Sequence, residues 1–352
     1  MFGGMQAAAP ANPNAAAPAN PNGDLLVQNG PTDGISCVKW SPVANLLIAG
    51  SWDNQIRCWD VQATGATVPK AAQQFDAPIL TCAWSNDGTR VFAGGCDKQA
   101  KCWDLGSNQV IQVGAHAEPV RYMFWLQEIN CLVTGSWDKT IKYWDLRAPT
   151  PQCTVTLSER VYCMDATHPL LTVGTADRKI SVFDMQNPQV PFRELESPLK
   201  YQSRCIANFA DKSGFCLGSV EGRVAVQHVE QANAQKNFAF KCHRDNTTND
   251  IWAVNSIAFH PKYGTFATMG ADGSYNFWDK DNRQRLKEFK KLNTPITCGA
   301  FNYDGNIFAY AGSYDWSKGS EHYSVKQNNI WLHAVQEKEV KPNPQVPQPR
   351  RR

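Results

Sequence analysis

Residues 132–145 read LVTGSWDKTIKYWD. A short apolar run ends at Gly135, an acidic turn follows at Asp138, and an alternating run closes on Trp144 and Asp145. The same order stands earlier in the chain, as LLIAGSWDNQIRCWD over 46–60 and VFAGGCDKQAKCWD over 91–104. Alternation with period two predicts half-buried strands, and a Gly with an acidic residue between two such runs predicts a tight turn. An acidic residue six positions before the closing position recurs in Asp53 and Trp59, Asp97 and Trp103, Asp138 and Trp144, Asp177 and Phe183, Glu221 and Gln227, and Asp272 and Trp278. Asp315 and Trp331 form a seventh pair, stretched by a ten-residue insertion.

The closing positions 59, 103, 144, 183, 227, 278 and 331 are spaced by 44, 41, 39, 44, 51 and 53 residues. That spacing, with four strand-like runs per unit, is the period of a β-propeller. The fold expected is all-β: a seven-bladed WD-repeat β-propeller over residues 24–335. The turn carboxylate bonds nearby backbone donors, and each Trp fills the gap between blades, with its indole N–H seeking a buried acceptor. In the third unit His116, Thr134, Asp138 and Trp144 fall where such a network needs them. Each buried aromatic contributes about 1.5–3 kcal/mol, so the repeated residues speak chiefly for stability.

A ring must also close. The seventh unit runs after Val335 into a Pro-rich stretch with no fourth strand of its own. DLLVQ, residues 24–28, is the one strand-like run before the first unit, and it is expected to supply the missing outer strand and cover the open edge. Residues 1–23, rich in Ala, Pro and Asn, and 336–352, rich in Pro, Lys and Arg, have no periodicity and read as disordered.

Composition narrows the class. With 352 residues, 42% hydrophobic and 19% charged, the chain can bury a large core. A net charge of +3 does not by itself mark a nucleic-acid protein. The twelve cysteines include Cys37, Cys82, Cys163, Cys205 and Cys298 inside apolar runs, and no C-x-x-C occurs. They read as small core residues of a reducing compartment, with neither a disulfide framework nor a metal site. No Lys or Arg precedes Lys39 and no apolar window approaches the eighteen residues of a membrane span, so a soluble intracellular protein is expected. Phosphate-binding glycine loops, nucleophile elbows and zinc-protease helices are absent from the sequence, and the seven histidines do not cluster. No catalytic residue, metal ligand, cofactor or small-molecule substrate is expected.

Binding features are more informative. The residue before each turn acid is expected on one face of the ring: Trp52, Trp137 and Tyr314, with Cys96, Ala176, Val220 and Ala271 at the other blades. Exposed Trp at 52 and 137 suggests a partner groove. Two connections exceed the repeat. One contains KNFAFKCHRD, 236–245, which brings Lys236, Lys241, His243 and Arg244 together; the other is YDWSKGSEHYSVKQNN, 314–329, with Trp316 and Lys318. Cationic loops with aromatics suit an acidic peptide or a phosphate backbone. A third basic run, Arg283 to Lys291, is expected on an outer strand. Trp144 to Arg147, WDLR, matches a pattern by which some propellers dock a ubiquitin-ligase adaptor.

These stretches, with SPLKYQSR, GSVEGRVAVQ, FHPKYGTFAT and YNFWDK, resemble the propeller of the nuclear-pore mRNA-export family over roughly residues 30–335. The resemblance implies a protein of the nucleus and nuclear pore that shuttles to the cytoplasm. It implies that a hairpin segment of an FG-repeat nucleoporin docks on it and that it acts on mRNA–protein particles, with a spindle or checkpoint role besides. It places the partner's glutamates at Arg244 with Lys241 beside it, and an RNA or acidic-partner groove at Trp316, Lys318 and Phe259. A mitotic-checkpoint scaffold that binds kinase peptides is the related alternative. A ubiquitin-ligase substrate receptor is another.

Overall fold

In a computed structural model, residues 19–245, 247–323 and 328–342 are described. Their strands form seven four-stranded antiparallel sheets. Blade 1 runs Ile35–Trp40, Leu46–Ser51, Gln55–Val61 and Thr67–Gln74, from the axis outward. Blades 2 to 6 repeat that order, with innermost strands Ile79–Trp84, Val120–Leu126, Val161–Thr167, Ser203–Asn208 and Val254–Phe259. Blade 7 begins with Ile296–Phe301, Ile307–Gly312 and Asn329–Ala334. Innermost strands touch their neighbours all the way round, including blade 7 against blade 1. The chain is the expected seven-bladed β-propeller.

The burial pattern explains why the sheets stack. The second strands are almost wholly buried, such as Leu46–Ser51 and Cys131–Ser136, because both faces meet an adjacent blade. Outer strands such as Thr67–Gln74 alternate or lie open. Each core cluster spans a junction: Val133, Phe183 and Met164 pack between blades 3 and 4, and Phe277, Phe308 and Trp331 between blades 6 and 7. The twelve cysteines are all free thiols, ten of them buried.

Every innermost strand carries a β-bulge at its start. The register slips by one in all seven, leaving Ser36, Leu80, Arg121, Tyr162, Arg204, Asn255 and Thr297 outside the ladder. A bulge of this kind re-aims the extra side chain, and Ser36, Leu80, Arg121, Asn255 and Thr297 line the axial channel.

The ring closes through the N-terminal segment. Leu25–Leu26 pairs antiparallel with Asn329–Ala334, in register Leu25 to Leu332 and Leu26 to Trp331. The Val27 amide continues the ladder to the Ile330 carbonyl at 2.9 Å, and the Gln28 carbonyl accepts the Trp59 indole at 2.8 Å. Asp24 lies beneath, accepting from Tyr310 Oη at 2.6 Å and Tyr275 Oη at 3.1 Å and pairing with His333 Nδ1 at 2.8 Å.

Two expected boundaries need correction. Disorder was expected through residue 23, yet Asn20 donates to Tyr310 Oη at 2.8 Å, and Asn22 exchanges two bonds with the Lys290 backbone. Disorder was also expected from residue 336, yet Glu337–Val340 is a helical turn capped reciprocally by Gln336 and Glu339. Val340 is buried there, and Glu339 meets His333 Nε2 at 3.0 Å. Composition hid this turn because one Val and one Glu anchor it while Lys and Pro surround them. Residues 1–18 and 343–352 of these expected tails lie outside the described residues.

Candidate partner-binding face

The turn between the second and third strands of each blade builds one face of the ring. Its carboxylate works as the sequence suggests: Asp53 accepts from the Gln55 amide at 3.2 Å and Asp138 from the Thr140 amide at 3.0 Å. The next residue turns left-handed, with φ of 65° at Asn54, 66° at Lys98, 68° at Lys139, 67° at Arg178 and 80° at Gly273. In blade 7 that position is Trp316, at φ 61°. A bulky residue there costs about 1–2 kcal/mol, which the surrounding contacts must offset.

In blade 3 His116 meets Asp138 at 2.9 Å and Thr134 at 2.7 Å, and Trp144 donates to Thr134 at 2.8 Å. The expected network is present. Hydrogen bonding to His116 and Thr140 outweighs burial and holds the Asp138 carboxyl below its usual range. Blade 6 repeats it: His243 meets Asp272 at 2.9 Å and Thr268 at 2.9 Å, and Trp278 donates to Thr268 at 2.9 Å. His243 is therefore a buried strut and does not join a cationic loop with Lys236, Lys241 and Arg244. The signal was available, since His116 stands one blade boundary before its Asp as His243 does.

The aromatic residues form one patch where blades 7 and 1 meet. Trp52 and Trp316 lie 6.4 Å apart, and Trp316 stacks on Tyr323 at 5.1 Å and 7°. Tyr314, expected to face solvent, is buried beneath and donates to the Gly319 carbonyl at 2.8 Å, while Tyr323 donates to Asp33 at 2.8 Å. Trp52 and Trp316 remain 37% and 42% exposed, which leaves their outer faces available to a partner. Lys318 is exposed beside them, with no ion pair among the described residues. The sequence assigned Trp52 and Trp316 to different sites; closure of the ring brings them together. Residues 324–327 of the long connection lie outside the described residues.

Two residues fall elsewhere. Trp137 sits half-buried on blade 3, with blade 2 between it and Trp52. Phe259 ends the innermost strand of blade 6, opposite Phe266, and packs on Phe209 and Phe266 at 5.6 and 5.3 Å. That strand begins at the turn face and runs to the other one, so Phe259 does not share a groove with Trp316 and Lys318. Adjacency in a motif does not fix which end of a strand a side chain occupies.

A second, cationic patch lies at the junction of blades 5 and 6. Arg244 donates from Nη2 to the Glu221 carbonyl at 2.6 Å and from Nε to the Gly222 carbonyl at 3.1 Å. Its backbone bridges to Ile251, which is 50% exposed. No carboxylate pairs with this guanidinium among the described residues, so its charge is oriented and unneutralised. Lys241 is exposed nearby, ending the outer strand Phe238–Lys241 opposite Arg223; the basic stretch is thus half strand. Trp252 adds an aromatic face with Lys291 above it at 4.5 Å, a pair that strand periodicity did not flag. The basic run 283–291 does supply an outer strand, Gln284–Glu288. Arg147 is 81% exposed on the opposite face but already forks onto Asp145, at 2.9 Å from Nε and 2.6 Å from Nη2. That hydrogen bonding lowers the Asp145 carboxyl to about 2.

Among the described residues no group of three His, Cys, Asp or Glu side chains is placed to hold a metal ion, and no helix is long and apolar enough to cross a membrane. The fold and the repeated turn face define a WD-repeat β-propeller. The WD domain, G-beta repeat family matches residues 20–60, 70–104 and 107–145. The chain is 51% identical over 335 residues to an mRNA export factor of Danio rerio, covering 91% of each chain. It is 48% identical over 327 residues to the poly(A)+ RNA export protein of Schizosaccharomyces pombe, covering 91% of this chain and 93% of that one. With the protein RAE1 of Arabidopsis thaliana it shares 51% identity over 349 residues, 97% of each. The chain belongs to the mRNA export factor family of non-catalytic WD-repeat propellers.

Proposed function

We propose that this protein is an adaptor of mRNA export that docks at the nuclear pore. One patch of its turn face takes a glutamate-bearing nucleoporin hairpin, and another takes RNA or an acidic mimic of it. The observation that carries the reading is Arg244: two backbone carbonyls aim a guanidinium that lacks a carboxylate partner among the described residues. Such a group is preorganised for a carboxylate from another chain. The relatives' names support the export role. A spindle or checkpoint role would draw on the same peptide site.

The test is isothermal titration with a glutamate-containing nucleoporin hairpin. Arg244→Glu is expected to weaken binding by about 2–5 kcal/mol, or roughly thirtyfold or more. Unchanged affinity in this variant would discard the peptide site.

A further inference from the structure

Four innermost strands carry a cysteine directly after the bulge residue: Cys37, Cys163, Cys205 and Cys298. Each shares a junction core with the residue two places past the bulge on the next blade. That residue is Ile206 for Cys163, Ile257 for Cys205 and Val38 for Cys298, so an apolar side chain suffices for the packing. At the junction of blades 1 and 2 it is Cys82, whose sulfur lies 3.2 Å from that of Cys37. Among the described residues no other two thiols meet; Cys205 Sγ bonds the Val254 carbonyl at 3.3 Å and Cys131 Sγ that of Leu132 at 3.6 Å.

The two thiols differ in character. With the Cys82 thiol donating to Cys37 Sγ, that bond outweighs burial and draws the Cys37 thiol below its ordinary range, helped by Ser36 and Lys39. The same bond, with burial, holds Cys82 well above its range. Burial raises the other ten cysteines. The thiolate is the reactive form, so Cys37 is the nucleophile of the pair and Cys82 keeps its proton. Cys37 lines the axial channel, which encloses about 550 Å³ and admits a small oxidant, whereas Cys82 is wholly buried behind it. A disulfide needs the two sulfurs only about 1 Å closer than they stand.

We propose that Cys37 and Cys82 are a peroxide-sensitive dithiol whose oxidation to a disulfide staples blade 1 to blade 2. The Cys37 thiolate attacks one oxygen of a hydroperoxide: an S–O bond forms, the O–O bond breaks, and the leaving oxygen takes a proton from solvent. Cys37 becomes a sulfenic acid, having given up the two electrons that reduce the peroxide. The Cys82 sulfur then attacks the Cys37 sulfur; the S–S bond forms, the S–O bond breaks, and hydroxide leaves with the Cys82 proton as water. A thiol reductant restores both cysteines by exchange.

Hydrogen peroxide is the probe, added to the reduced full chain before the remaining thiols are alkylated and the chain is cut by trypsin without reductant. Trypsin cuts after Lys39, Lys70 and Arg90, so Cys37 and Cys82 leave on separate peptides, 1–39 and 71–90, that hold no other cysteine. These peptides are expected joined and separable by dithiothreitol, with the other ten cysteines alkylated. The oxidised chain is expected to melt about 3–5 °C higher, and to lose that gain on reduction. Cys82→Val is expected to halt the reaction at the Cys37 sulfenic acid, trapped by dimedone, whereas Cys298→Ala leaves the linkage unchanged. Should the first variant fail to fold, the peptide map and melting of the unaltered chain decide. Cys37 and Cys82 both alkylated after peroxide, Cys37 joined to Cys205 or Cys298, or a linked chain that melts no higher overturns the proposal.

Discussion

At the scale of single residues, the turn face is built from positions that the repeat has already strained. Trp316 stands where other blades place Asn, Lys, Arg or Gly in the left-handed region, and its ring is held outward against Tyr323. Trp316→Gly removes a backbone strain of about 1–2 kcal/mol together with a stacking contact of about 0.5–1.5 kcal/mol. Folding stability by denaturant titration is therefore expected to stay within about 1 kcal/mol. Loss of a base-stacking surface is expected to cost about 1–3 kcal/mol in oligo(A) binding, read by fluorescence anisotropy. A large loss of stability with unchanged RNA affinity would make Trp316 a structural residue. Arg244, Lys241, Trp316 and Lys318, the residues the sequence singles out for partners, all face solvent in whole or part. Their neighbours were not legible there: the link from Trp52 to Trp316 spans most of the chain, and no local pattern records it.

At the scale of elements, a two-residue strand closes the propeller. Leu25–Leu26 is too short to hold by its ladder alone; Val27 in the core and Asp24 beneath the sheet fasten it. Deleting residues 1–22 removes the bonds of Asn20 and Asn22 and is expected to cost about 1–2 kcal/mol. Deleting 1–30 opens the edge of blade 7 and is expected to lower the melting temperature far more. Coincident melting curves would remove the closure role of this strand.

The same latch is pH-sensitive. Burial works against the charge on His333, but hydrogen bonds to Asp24 and Glu339 win and raise its pKa to about 9. Tyr275, Phe277 and Phe289 enclose the ring. A raised folded pKa means the folded state holds the proton longer. This stabilisation, about 3 kcal/mol at most, is complete below the ordinary histidine value near 6.5 and is lost as pH rises to about 9. Melting followed from pH 6 to 9 is expected to fall more in the native chain than in His333→Gln. Parallel slopes would show that the imidazole does not carry the charge.

At the scale of the whole molecule, the two patches of the turn face lie at different junctions, blades 5/6 and 7/1. They share no residue, so their effects should add. The double variant Arg244→Glu with Trp316→Gly is expected to lose each partner as the single variants do, with a coupling energy within about 0.5 kcal/mol. A larger coupling would mean one continuous site.

The sequence by itself determined the number of blades, the turns, the core aromatics and the strand that closes the ring. These follow from local periodicity and from the need to cover open strand edges, and both are written along the chain. Only the tertiary structure decided which residues meet. It joined Trp52 to Trp316, withdrew Phe259 to the far end of its strand, and buried His243 among Thr268, Asp272 and Trp278. The reason is geometric: a blade is specified within some forty residues, whereas its neighbour across a junction, and the end of the channel it faces, depend on the ring having closed.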